Sequence, residues 1–313
     1  MSAPVQVLGP DAGRDEWLAA RRHGIGASDI PKVAGLSKWG GPLSVYYDKT
    51  DPLGPDEPPS EAAEIGLALE PVLARLAAKR LDRRLARVGL IAHPDCPWQL
   101  ASLDRVAVIG NRPATGWGNY DAAVQLKTAL GWTMLDWDQI DGRVPDAYYA
   151  QCQWELHVSG LPLAYLVALA GPSVQVFTIE PDVAYQRQLV AIAERFWQQV
   201  QVRTPPAADD LESTTELLRD RWTPDPEKIV IADLAEWQQI KAGYDDGSAG
   251  MAAHEAVKRG AQNRIRQLLG EAEALILDGE IVATWKPNVT GARVLNIPKR
   301  PKPLHTARKA LAA

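Results

Sequence analysis

Asp104, Gln125 and Lys127, with Glu70 upstream, are the residues whose types and spacing point to chemistry. Gln125-Leu126-Lys127 lies in a run of strand character, Tyr120 to Thr128, and residues two apart on a strand share a face. Asp104 ends an earlier apolar run, Leu100 to Leu103. An acid on one strand and an acid-x-lysine on the next would aim three polar side chains at one place. Two acids hold a divalent cation, and a lysine orients a water and helps deprotonate it for attack on phosphorus. Here the acid two residues before the lysine is an amide, so the chemistry and its weakness meet at residue 125.

Each residue also has a plainer reading. Glu70 alone is a surface glutamate at the margin of an apolar helical stripe, and Asp104 alone is a turn former. Lys127 is harder to dismiss, because an inward lysine on an otherwise apolar strand is uncommon. Gln125 suits a structural amide, yet it can still offer a metal one neutral oxygen. Arg21 and Ser28 form a second group: a guanidinium, a hydroxyl, glycine-turn amides and a helix start, together able to grip a terminal phosphate. Gln151 and Gln153 suit a polar helix face. His93 and Cys96 lack a second His/Cys pair and do not make a zinc knuckle.

The elements that would position these groups follow from periodicity. Ser28 or Asp29 caps a short helix to Ala34, and Glu61 to Leu81 is a long helix with Ile65, Leu69, Val72, Leu73 and Leu76 at helical spacing. Arg87 to Ala92, Gln99 to Ile109 and Tyr120 to Thr128 are predicted strands, and Pro145 to Ser159 a helix. Leu163 to Ala170 and Val174 to Ile179 suit a hairpin around Gly171-Pro172, and a helix from Pro181 to Val202 closes the unit. Pro205-Pro206 then marks a boundary. Beyond it, Ile231 to Gly243 and Met251 to Leu277 read as helices, Glu280 to Trp285 with Ala292 to Ile297 as a short hairpin, and the end as a basic tail through Arg308 and Lys309. The expectation is an α/β fold, a mixed central sheet flanked by helices over residues 1–204, with a helical C-terminal module over 205–313.

At 313 residues the chain can bury a sizeable core. Its net charge of −5 gives no global signature of nucleic-acid binding, though a local basic track is compatible with it. Two cysteines, Cys96 and Cys152, exclude a four-thiolate iron–sulfur cluster and a disulfide framework. No apolar run suits a membrane span and no secretory layout opens the chain, so a cytoplasm is the expected setting.

Taken in order, these motifs resemble the YqaJ-type viral recombinase family, which includes the lambda-exonuclease-like enzymes of the PD-(D/E)XK nuclease superfamily. Trp17, Arg21, Gly24-Ile25 and Ser28-Asp29 are similar to its opening motif. Gly66 with Glu70-Pro71, Ser102-Leu103-Asp104, Gln125-Leu126-Lys127-Thr128 and Tyr149-Ala150-Gln151-Cys152-Gln153 follow in the family's sequence. The resemblance covers about residues 14 to 203 and implies a restriction-endonuclease-like sheet. It implies that Asp104, residue 125 and the Leu126 carbonyl hold Mg2+, with Mn2+ as substitute, and that Glu70 supports them. Lys127 would activate water, Arg21 and Ser28 would bind the 5′-phosphate of a DNA end, and Gln151 would act near the scissile strand. The implied activity is 5′→3′ digestion of one strand of duplex DNA, with a single-strand annealing protein as partner and a ring-shaped homotrimer as assembly.

Two departures stand out. Leu103 and Arg105 replace the proline and glycine around the motif aspartate, a change expected to affect only local turn geometry. Gln125 replaces the motif glutamate, which removes one negative ligand and weakens both cation binding and water activation. Because glutamine matches glutamate in size, the swap reads as an engineered inactivation, the reading favoured here, or as a natural loss. Two alternatives stay open: a non-catalytic DNA-end-binding scaffold and a structure-specific endonuclease.

Overall fold

The computed structural model describes residues 2–51, 61–129, 144–170, 173–249, 255–289 and 291–303. The Gly171-Pro172 turn, and Arg308 and Lys309, lie outside the described residues. By internal contacts the chain divides into two units, Met1–Ser37 with Tyr47–Thr204 and Lys38–Tyr46 with Pro205–Ala313. The division therefore departs from a single cut at 204, because residues 38–46 group with the C-terminal unit. Among the described residues no helix is long and apolar enough to cross a membrane.

The first unit opens with β1 (Val5–Gln6), α1 (Arg14–Arg21) and α2 (Ile30–Val33), followed by α3 (Pro42–Thr50), whose last turn belongs to it. The helix α4 (Glu61–Leu81) has the bounds its periodicity predicts. Then come β2 (Leu85–Ala86), β3 (Leu90–Ala92), β4 (Leu100–Ser102), β5 (Arg105–Val108) and β6 (Tyr120–Ala129). After them follow α5 (Asp146–Ser159), β7 (Ala164–Ala170), β8 (Ser173–Ile179) and α6 (Val183–Gln201). Five strands form a mixed sheet in the order β2-β5-β6-β7-β8, with β6 and β7 parallel and the other neighbours antiparallel.

One strand expectation is corrected. The run Gln99 to Ile109 is two strands in two sheets, since β4 belongs to a three-stranded sheet in the order β1-β3-β4 while β5 enters the five-stranded one. Leu103-Asp104 is the corner between them. An apolar run cannot report this crossing, because both halves are buried.

Alternation along β6 sorts its two faces. Val124 and Leu126 pack with Leu73, Ala74 and Ala77 of α4 in one buried cluster, so Gln125 and Lys127 point to the opposite side. Helix α5 is buried along most of its length, which is why its sequence shows little amphipathic contrast. Its Trp154 is fully buried and donates its indole N–H to the Leu100 carbonyl at 3.0 Å.

In the second unit, α7 (Glu212–Arg221), β9 (Asp225–Ile231), α8 (Leu234–Ala249) and α9 (Glu255–Leu269) precede four strands. These are β10 (Ala272–Leu277), β11 (Glu280–Pro287), β12 (Arg293–Asn296) and β13 (Lys302–Pro303). The expected helical module is thus a mixed α/β unit with a five-stranded sheet, in which β10 pairs parallel to β9 and antiparallel to β11. Ala272 to Leu277 is strand rather than helix: Gly270, at φ 54°, ends α9, and a fully buried run carries no period to tell the two apart. The predicted hairpin is present as β11 and β12.

The turn before α2 needs a bare backbone. Ile25 exchanges hydrogen bonds with the chain entering β4, donating to the Trp98 carbonyl at 2.7 Å and accepting from Leu100 N–H at 2.9 Å. A Cβ on the preceding Gly24 would lie 2.2 Å from the Trp98 oxygen. Gly24→Ala is expected to destabilise the fold by about 1–3 kcal/mol through forced backbone displacement, read as a lowered thermal midpoint.

Candidate functional site

Asp104 sits at the corner between the two sheets and binds the next strand with one oxygen. Its Oδ2 accepts the Leu126 N–H at 2.7 Å and the Gln125 Nε2 at 2.6 Å. Burial pushes the Asp104 carboxyl above its ordinary value, with Glu70 adding to the rise, while Lys127, the Leu126 amide and Arg105 pull it back. Gln125 is almost wholly buried, and its Oε1 finds no hydrogen-bond partner among the described residues. Lys127, two residues on, carries its ammonium 5.3 Å from the centre of the Tyr148 ring.

Arg21, Ser28, Asp104, Gln125, Lys127 and Gln151 line one cavity of about 200 Å³. Residues from α1, the α2 turn, β6, α5 and the sheet corner thus meet in one hollow. Glu70 is not among its lining residues. It borders an adjoining cavity of about 240 Å³ that shares Asp104, Trp17 and Ser102, and its carboxylate pairs with Arg105 at 2.8 Å. Arg105 therefore does more than alter turn geometry, as expected from sequence: its guanidinium occupies Glu70 and also binds the Asp104 carbonyl.

Asp29 organises the phosphate-sized corner of the cavity. It accepts from Arg21 at 2.8 Å, from Lys49 at 2.9 Å and from the Gly26 N–H at 2.9 Å. Arg21 also donates to Ser28 at 2.8 Å and lies 4.6 Å from the centre of the Trp17 ring. Trp17 in turn donates to Ser102 at 3.0 Å, tying α1 to the end of β4. Burial alone would raise the Asp29 carboxyl, but Arg21, Lys49 and the Gly26 amide outweigh it and hold it at about 2. Sequence reading gave Asp29 only a capping role and passed over Lys49, whose fully buried ammonium lies on α3. Its isolation in sequence from the motifs left no signal.

The two glutamines of α5 separate cleanly. Gln153 is structural, donating to the Glu180 carbonyl at 2.7 Å and accepting from Asp182 N–H at 2.9 Å and Gln186 at 3.0 Å. Gln151 faces the cavity and donates to Glu155 Oε1 at 3.0 Å. Glu155, which helical spacing puts on one stripe with Tyr148 and Cys152 but which no motif gives a role, is fully buried, and its other oxygen has no partner among the described residues. Burial, helped by the Asp104 charge and opposed by Lys127 and Gln151, pushes its carboxyl up to about 8.

Among the described residues no three His, Cys, Asp or Glu side chains cluster as a ready-made metal site. The oxygen donors present nonetheless fit a hard cation: an Asp104 carboxylate beside an amide oxygen that is buried and unpartnered. A small reorientation of Gln125 would replace its donated hydrogen bond to Asp104 with a shared cation.

Comparison with known proteins bears on this site. Residues 16–162 match the YqaJ-like viral recombinase domain. The described fold is shared with the crystal structure of LHK-Exo in complex with dAMP, at TM-score 0.50 and 20% identity over 61% of this chain and 94% of that one. The structure of the same Laribacter hongkongensis protein described as an alkaline exonuclease aligns at TM-score 0.47 and 19% identity, with the same coverage. The Bacillus subtilis protein YqaJ, itself described as uncharacterized, is 28% identical over 92% of this chain and 88% of its own length. The first unit is thus similar to a YqaJ-like viral recombinase domain, and its fold is one of mixed sheets flanked by helices.

Two stability predictions follow from the buried charges. Asp29→Ala leaves the buried Lys49 with Asp48 at 3.2 Å and the Arg21 carbonyl at 3.1 Å as its remaining partners, and is expected to cost about 3 kcal/mol in denaturant unfolding at neutral pH. That contribution is present above the unfolded carboxylate pKa and is lost as pH falls toward 2. Glu155 runs the other way. Between its ordinary 4.5 and about 8 the folded state keeps a proton that the unfolded state has released, so stability falls as pH rises across that window. Glu155→Gln removes this slope, and its thermal midpoint should exceed that of the parent by several degrees at about pH 9 and match it at about pH 4.

Proposed function

We propose that this chain is a metal-dependent deoxyribonuclease that digests one strand of duplex DNA in the 5′→3′ direction, serving phage-type recombination. The observation that carries the reading is the single cavity in which Arg21, Ser28, Asp104, Gln125, Lys127 and Gln151 meet. The viral recombinase domain and the fold shared with LHK-Exo, a protein bound to dAMP and described as an exonuclease, support it.

Asp104, Gln125 Oε1 and the Leu126 carbonyl would hold Mg2+ or Mn2+, with Glu70 in support from the neighbouring cavity. When bound, that ion lowers the pKa of a coordinated water and screens charge on the scissile phosphate. Lys127 would orient the attacking water through its ammonium and stabilise the hydroxide, the proton passing to solvent. Arg21, fixed by Asp29 and Ser28, offers charge-assisted hydrogen bonds to a 5′-phosphate. Gln151 offers an amide to the strand being cut. Gln125 leaves this set one negative charge short of two acids, which weakens its hold on a hard cation. An annealing protein and a ring trimer belong to the same proposal and rest on the motif resemblance.

A second reading rests on that same amide: a DNA-end-binding scaffold without metal chemistry. It requires tight, salt-sensitive end binding that is indifferent to Mg2+.

The test compares linear duplex DNA bearing a 5′-phosphate or a 5′-hydroxyl with a covalently closed circle, in Mg2+, Mn2+ or chelator. Digestion of linear DNA only, faster from the phosphorylated end and abolished by chelator, is expected. Lys127→Ala should lose about 10²–10⁴-fold in rate, and Gln125→Glu should digest at lower Mg2+. Cutting of the circle would instead establish an endonuclease. No digestion by folded parent or Gln125→Glu, with end binding intact, would establish the scaffold.

A further inference from the structure

Glu155 is the buried carboxylate that no motif assigns. It lies one turn beyond Gln151 on α5, behind that cavity-lining residue rather than in the lining itself. Its Oε1 is held by Gln151 at 3.0 Å, and its Oε2, fully buried, has no hydrogen-bond partner among the described residues. A carboxylate in that position costs several kcal/mol unless something pairs with it. Nor does protonation remove the difficulty, since a carboxylic acid at Oε2 would need an acceptor for its proton. Among the described residues no lysine or arginine forms a salt bridge with it. In the cavity that Gln151 lines, the Gln125 Oε1 is likewise without a hydrogen-bond partner among the described residues. Asp104 beside it and Lys127 are close enough for their charges to act on Glu155. Oxygen acceptors with no donor between them are complementary to a cation.

We propose that Glu155 supplies the second carboxylate of the cation site, standing in from α5 for the acid absent at position 125. The inference rests on the reading of this hollow as a metal centre. Under it, the site has two negative ligands, Asp104 and Glu155, with Gln125 Oε1 as a neutral third. The shortfall described for residue 125 is then made good from another element. Gln151 acts as a positioning residue, because its hydrogen bond fixes the Glu155 rotamer and leaves Oε2 turned to the cation.

Mn2+ binding by the full chain without DNA, followed by the paramagnetic signal of free Mn2+, tests this apart from activity. Four proteins are compared: the parent, Asp104→Asn, Glu155→Gln and the double variant Gln125→Glu/Glu155→Gln, each checked for folding by circular dichroism. Glu155→Gln should weaken Mn2+ binding by about tenfold or more, and moving the acid to position 125 should recover most of it. Weakened binding in Asp104→Asn with unchanged binding in Glu155→Gln would overturn the role of Glu155 and leave the metal centre standing. Unchanged binding in both would overturn the metal centre itself. Should Glu155→Gln fail to fold, Glu155→Asp, one methylene shorter, answers by the same loss or by unchanged affinity.

Discussion

The hydrogen bond from Leu126 N–H to Asp104 Oδ2 joins what the backbone would otherwise leave separate. At Asp104 the chain passes from a three-stranded antiparallel sheet into a five-stranded mixed one, and a corner of that kind has backbone groups with no ladder partner. The aspartate oxygen takes the place of a strand carbonyl opposite β6, so the corner is stitched to the middle of the central sheet. The same oxygen fixes Gln125 and sets Asp104 within the field of Lys127. A single carboxylate therefore sets both the sheet geometry and the position of the polar cluster. Burial raises its pKa, and the Leu126 amide and Lys127 oppose the rise.

Charge balance around the cavity follows one rule with one exception. Asp29 is matched by Arg21 and Lys49, and Glu70 by Arg105. These pairs are local and fully formed, and they keep Arg21 and the sheet corner rigid. Asp104 is answered by an amide N–H and by Lys127 at longer range. Glu155 has a buried oxygen with no hydrogen-bond partner among the described residues. Buried acids are stable only when something answers them, so the imbalance marks where a cation has the most to gain.

Much of this was legible in the sequence, and the failures have physical causes. Strand alternation put Gln125 and Lys127 on one face, because they alternate with the apolar Val124 and Leu126, and helical spacing set the bounds of α4. The break between β4 and β5 was invisible, since apolar residues on either side are buried equally in different sheets. Ala272 to Leu277 misread as helix for the same reason, although Gly270 offered a stop signal. At the site, motif spacing found the residues that line the cavity but misjudged Arg105, whose partner Glu70 is 35 positions away. Lys49 and Glu155 lie on helices that carry no motif pattern for them. A buried glutamate one turn past a glutamine reads in sequence like any polar helix position.

Position 125 looks different once Glu155 is placed. With glutamate at 125, three carboxylates would share one buried hollow, answered there by Lys127 and by whatever cation they held. Like charges packed that closely raise one another's pKa and oppose ionisation. An amide at 125 with an acid at 155 keeps the count at two, and it lets Gln125 donate to Asp104 when no cation is present. Each residue then makes sense of the other. Seen as an isolated substitution, Gln125 is damage to a two-acid centre, whether engineered or natural. On the proposal made for Glu155, it would be one half of a rearrangement that moves the second charge from strand to helix and keeps two acids at the centre.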